Sequence, residues 1–204
     1  MCSLTQDRIN VNYVRWIEKL KKYGVYSESM ISDIGDELKN SSFAITDSSG
    51  GAYQGSMIDV SLNMLCTLAV AINENAFNGR HQFLKVNVDS LIRVLLLQHI
   101  SKAIMFVIEK QQWKLNKGYL YDFNENLSTV MKCGERTIFM CIKYGIKLSE
   151  EEYEAIRIID REDDKITSFS TPLSTLVKIV NQLVIVELRQ KWFAEHQDNS
   201  EIEK

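Results

Sequence analysis

Residues Gly51–Leu65 read GAYQGSMIDVSLNML, a glycine-turned loop that runs into an amphipathic helix. From Met57 onward the apolar residues Met57, Val60, Met64, Leu68 and Ile72 recur at three- and four-residue intervals. That spacing stacks side chains on one face of an α-helix. Val60 therefore falls on the inward stripe of a helix predicted over about 56–76.

Upstream, the periodicity predicts a first helix over about 7–23, with Ile9, Tyr13, Ile17 and Leu20 inward and Gly24 ending it. A second, about 28–40, carries Ile31, Ile34 and Leu38 on one side. SSFAITDSSGGAYQG (41–55) joins it to the third as a loop with turn chemistry. Downstream of the polar NGRHQ connection, residues 88–109 are apolar nearly all round and are expected to form the central helix. QWKLNKGYLYDF (112–123) holds two short aromatic-rich runs about Asn116-Lys117-Gly118, which predicts a β-hairpin over Trp113–Phe123. Cys133–Tyr144 reads as a helix, and Ser149 with Glu152 is a capping-box start to another. REDDK (161–165) interrupts that pattern. Thr171-Pro172 opens a last helix to about Glu195. The expectation is one all-α domain over 1–195 with a small β-hairpin insertion, and a disordered polar tail over 196–204.

Composition agrees with a single core: 204 residues, 45% hydrophobic, with one proline and nine glycines, favour long helices over a turn-rich β fold. A net charge of −3 and a pI near 5.7 argue against a nucleic-acid patch. Lys19, Lys21, Lys22, Lys39 and Lys102 are scattered among acids. No apolar run reaches the roughly 18 residues of a membrane span, and MCSLTQDRINVNY lacks a signal core. Cys2, Cys66, Cys133 and Cys141 lack metal-finger spacing, and Cys66 reads as a buried thiol. A reducing cytoplasm is the expected place of synthesis.

Six fragments in order resemble the HD-domain metal-dependent phosphohydrolases common in bacteriophage and prophage genomes, over about Asn12–Arg189. NYVRWIEKLKKYG (12–24) is similar to the family's opening helix, and FAITDSSGGAYQGSMIDVSLNM (43–64) to its approach to the first ligand. LLLQHISKA (95–103) resembles LLLHDLCKA, and KCGERT (132–137) resembles GHGEKS. LSEEEYEAIRIID (148–160) resembles LTDEEALAIRWHM, and PLSTLVKIVNQL (172–183) resembles PLALALHLADML. The resemblance implies an HD-like helical bundle.

It also places this chain's Val60, Gln98, His99, Cys133, Ile159 and Asn181 where the family keeps its metal ligands. Valine and isoleucine offer no lone pair, and neutral amides bind cations weakly. The resemblance thus implies a degenerate site with no catalytic metal or cofactor, unable to activate water against phosphate. Three sharper readings compete with bland ones. His99, Cys133 and Asn181 could form a nucleophile–base–orienter set, although a core hydrogen-bonding role is the simpler reading of His99. Asp160, Asp163 and Asp164 could hold a relocated cation, where a solvated acidic loop is the simpler reading. Glu135-Arg136 could face a phosphate, where a surface ion pair is simpler. His81 and His196 read as surface residues.

The expected function is therefore non-catalytic: a phage structural component, such as a tail or neck ring or adaptor subunit, touching itself and neighbouring virion proteins. The candidate contacts are Tyr13 and Trp16, the hairpin aromatics Trp113, Tyr119, Tyr121 and Phe123, and Trp192-Phe193, since Trp and Tyr dominate interface hot spots. Alternatives are a hydrolase with unorthodox ligands, or a soluble pseudoenzyme that binds a nucleotide or a host protein.

Overall fold

The structure, a computed structural model, describes residues 3–73, 86–160 and 171–200. It is mostly helical, with one two-stranded antiparallel sheet. α1 (Gln6–Lys22) is capped by Thr5, whose hydroxyl accepts from the Arg8 N–H, and α2 (Glu28–Asn40) by Ser27, which accepts from Met30. α3 (Ser56–Asn73) follows the loop, and α4 (Val88–Leu97) is capped by Asn87. Next come α5 (Lys102–Met105), β1 (Phe106–Ile108), α6 (Gln112–Leu115), β2 (Tyr121–Phe123), α7 (Cys133–Lys143), α8 (Glu150–Arg157) and the long α9 (Pro172–Ser200). Ser149 and Glu152 form the expected capping box at α8.

Met57, Val60 and Met64 are buried as the stripe predicts, in a core shared with Trp16 and Leu20 of α1, Leu95 and Leu97 of α4, and Val177 and Val184 of α9. Cys66 is exposed, which corrects its reading as a buried thiol. On α1 the inward face is Ile9, Asn12, Trp16 and Leu20, while Tyr13 and Ile17 are half-buried at its rim. Trp16 is fully buried, and its indole N–H donates to the Leu96 carbonyl 3.3 Å away. It ties α1 to α4 and is no contact residue.

The predicted helix over 88–109 stops at Leu97. Beyond it the amides of Ile100, Lys102, Ala103 and Ile104 bond back three residues, a tighter turn that ends the α ladder. Phe106–Ile108, aromatic and β-branched, then leaves as a strand. Its partner is Tyr121–Phe123, with Phe106 opposite Phe123 and Ile108 opposite Tyr121. The predicted hairpin arm at Trp113 is instead the short helix α6. The buried Glu109 carboxylate accepts the N–H groups of Lys110 and Gln111 and turns the chain there. The Lys114 ammonium of α6 reaches back to Glu109 and Asp122. The expected disordered tail begins inside a helix, since α9 runs on to Ser200.

Two contacts fix the bundle. Arg93 of α4 donates to both carboxylate oxygens of buried Glu152, at 2.7 and 3.2 Å, and to the carbonyls of Tyr23 and Lys147. Gly50, in left-handed backbone, lies against α9 so closely that a Cβ would collide with the Leu188 carbonyl. Gly145 has the same backbone sign at the end of α7 but nothing within 4 Å of its Cβ position. Gly145→Ala should therefore cost only the left-handed backbone penalty, about 1–2 kcal/mol. Gly50→Ala adds the collision and should lose clearly more in urea denaturation; equal losses would show that the loop at Gly50 yields freely.

Candidate functional site

The turn after α4, the start of α7, the turn after α8 and the middle of α9 bring Gln98, His99, Cys133, Ile159 and Asn181 to one place. Val60 and Gln98 lie in the core, both fully buried. Above them a cleft of about 480 Å³ is lined by His99, Cys133, Ile159 and Asn181. Gln98 and Asn181 exchange hydrogen bonds: the Asn181 amide donates to Gln98 Oε1 at 2.8 Å, and the Gln98 amide to Asn181 Oδ1 at 3.3 Å. Their second amide protons go to the Val177 carbonyl and the Met64 sulfur. Asn181 Oδ1 also lies 3.2 Å from His99 Nε2. With an oxygen that can only accept, His99 is the donor there, so its Nε2 carries the proton. Val60, Met64 and Val184 belong to the same buried core cluster.

His99 is buried, packs edge-on against Phe43 at 5.0 Å, and keeps Nδ1 without a partner. Burial, and then the Lys102 ammonium, hold its pKa well below 6.5, outweighing the Asn181 hydrogen bond. It is neutral at pH 7. Cys133 Sγ lies 3.1 Å from the Ser101 hydroxyl, which donates to the Cys133 carbonyl. No bond joins Cys133 to His99, whose only free nitrogen is unpartnered. The three residues line one cleft, yet the nucleophile–base step of a Cys–His–Asn set is not assembled.

The site does not fit a resident metal. Val60 and Ile159 supply no lone pair, and a cation at the Gln98 and Asn181 oxygens would compete with the amide protons those oxygens already accept. Among the described residues no three His, Cys, Asp or Glu side chains cluster. Asp163, Asp164, His81 and Cys2 lie outside the described residues, as does the side chain of Asp160. His196 is half-buried and stacks on the half-buried Trp192 at 4.2 Å, with its Nδ1 2.7 Å from the Trp192 carbonyl.

Sequence reasoning missed three cations at this cleft: Lys102, Lys178 and Arg189 line it. Lys102 donates to the Phe43 carbonyl at 2.7 Å and lies 3.6 Å from that ring's centre. Lys178 and Arg189 share a face of α9 with Asn181 and Ile185, a signal that only the register of α9 reveals. Arg136, read as half of a surface ion pair, is buried with no carboxylate partner among the described residues. Of the proposed contacts, Trp113, Tyr119, Phe123 and Phe193 are exposed and Tyr13, Tyr121 and Trp192 are half-buried. They occupy separate regions: the sheet, the outer edge of α1 and the end of α9.

The chain matches no protein-family model, no curated protein and no solved structure.

Two measurements probe this network. Gln98→Leu or Asn181→Leu alone strands the other amide, at about 1–3 kcal/mol per buried orphan. The double variant should recover at least about 1 kcal/mol relative to the sum, and strict additivity would mean the pair is not coupled. The second concerns acid. The unfolded chain protonates His99 below about pH 6.5, and the folded chain resists. Its contribution is full above that pH and falls by about 1.4 kcal/mol per pH unit below it, until the folded pKa is reached. Comparing urea midpoints from about pH 7.5 to 5, His99→Gln should flatten this acid-side loss; parallel curves would refute the assignment.

Proposed function

We propose that this chain is a non-catalytic, HD-like helical scaffold that works through protein contacts. Its proposed setting is a bacteriophage virion, as a ring or adaptor subunit of the tail or neck, after synthesis in the bacterial cytoplasm. The observation that carries the contact role is the outer face of α9. Ile179, Leu183, Val186 and Phe193 are 41%, 54%, 49% and 55% exposed. Their intervals of four, three and seven residues put them on one side of the helix. The opposite side, with Leu173, Val177, Val180, Val184 and Leu188, is buried in the bundle. A helix apolar on both faces is the mark of an element covered on both, and an exposed apolar stripe of this kind marks an interaction surface. The phage setting rests on the six-fragment resemblance, and the virion role on the replacement of ligand chemistry by a closed amide network.

A second reading has one observation in its favour. Lys102, Lys178 and Arg189 border the His99 cleft. That favours a soluble binder of an anionic ligand such as a nucleotide. No helix among the described residues is long and apolar enough to cross a membrane.

The test is made on purified particles. Mass spectrometry and imaging should find the chain in many copies around the tail axis, and Leu183→Glu should deplete it from particles while leaving the monomer folded. Abundance in the infected-cell cytosol with absence from particles would sink the virion role. Nucleotide binding abolished by Arg189→Gln would then favour the soluble binder.

A further inference from the structure

On another side of the molecule, the segment before α7, the first turns of α7 and the outer face of α8 enclose a groove of about 540 Å³. Its walls include Val130, Met131 and Tyr153, and its charged residues are Glu135, Arg136 and Arg157. Arg136 is only 8% exposed. Its Nη2 donates to the Ser128 carbonyl at 2.7 Å, and its Nε is buried with no partner. No carboxylate lies within ion-pair distance of either arginine among the described residues. Glu135 turns instead toward the Lys132 N–H, 3.4 Å away.

A buried guanidinium without a counter-charge is costly. The cost is raised by its place in the sequence. Arg136 sits in the N-terminal part of α7, where the helix dipole opposes a cation and favours an anion. By contrast the Arg157 side chain, in the last turn of α8, suits its helix end but has no hydrogen bond or ion pair among the described residues. Two arginines, one buried and under-satisfied, thus border an apolar-walled groove at a helix N-terminus.

We propose that this groove is a binding site for an organic carboxylate with an apolar body. The carboxylate is held between the Arg136 and Arg157 guanidinium groups that line the groove, planar donors suited to its two oxygens. The apolar body lies against Val130, Met131 and Tyr153. A monoanion is favoured over a phosphate dianion because Glu135 borders the same groove and would repel the second charge. The site is separate from the His99 cleft and from the outer face of α9, so its fate does not decide theirs.

The carboxylate can belong to a free small molecule or to the C-terminus of a peptide, and the experiment separates them. The Met131 methyl is followed by NMR while the intact protein is titrated with 4-phenylbutyrate, its amide, inorganic phosphate, and a hexapeptide ending in leucine as free acid or amide. One of the acids should shift Met131 with a Kd of about 1 mM or tighter, and the amides and phosphate should bind at least about tenfold more weakly. Binding by 4-phenylbutyrate alone assigns a small molecule, and by the peptide acid alone a chain terminus. Arg157→Gln, at an exposed position, should weaken binding about tenfold or more. Arg136→Met should abolish it without lowering the melting temperature, because it removes a buried uncompensated charge. No shift with either acid, equal shifts with acid and amide, or undiminished binding in Arg157→Gln would overturn the proposal. A large fall in the melting temperature of Arg136→Met would do the same, since it would mark the arginine as a structural support.

Discussion

The reciprocal amide bond between Gln98 and Asn181 sets the register on which the rest of the molecule depends. Both side chains are buried, and each presents two donors and an acceptor that hydrocarbon cannot satisfy. Only one alignment of α9 against the turn after α4 lets them satisfy each other while the spare protons reach Val177 and Met64. A slip of one residue rotates Asn181 by about 100° and strands four polar groups. With α9 locked there, Leu188 lies against Gly50, Val177 and Val184 face the core, and Ile179, Leu183 and Val186 are turned to solvent. The outward stripe is therefore a consequence of an inward polar contact.

The helices α3, α8 and α9 were legible in the sequence because their signals are local. Thr171-Pro172, Ser149 with Glu152 and the Met57–Met64 stripe need no knowledge of the fold. The segment from 98 to 115 was not, because its apolar run is compatible with helix and strand alike. What decides it is Ser101, held by Cys133 and Thr137 from a helix more than thirty positions away, and Glu109, whose carboxylate turns the chain. Trp16 was misplaced for a related reason: periodicity fixes a stripe only to within one neighbouring position, so Trp16 and Tyr13 exchange core and rim. At the site, the convergence of His99, Cys133, Ile159 and Asn181 came from the resemblance. The loss of each ligand could be read one residue at a time. That the replacements satisfy one another could not, since a hydrogen bond between positions 98 and 181 leaves no local trace.

That mutual satisfaction bears on what the interior can do. A site poised for chemistry keeps groups under tension: a shifted acid, an orphan donor aimed at a reacting atom, or a lone pair held for a cation. Gln98 and Asn181 are spent on each other, and His99 is kept neutral, its Nε2–H occupied. Only His99 Nδ1 is left over. On the proposed non-catalytic reading, such a centre stabilises a shape and leaves recognition to the surface and to the cations around the cleft mouth.

Three cations set partly or wholly inside the protein show how differently that requirement can be met. Arg93 is neutralised by Glu152 and braced by two carbonyls, so its charge joins α4, α8 and the end of α1. Lys102 donates to the Phe43 carbonyl and lies over the face of its ring. Arg136 has one carbonyl, an idle Nε, and a helix dipole of the wrong sign. In the first two cases a side chain supplied by folding accounts for the buried charge. In the third the buried charge borders an apolar-walled groove, and that difference separates a structural cation from one set to receive a ligand.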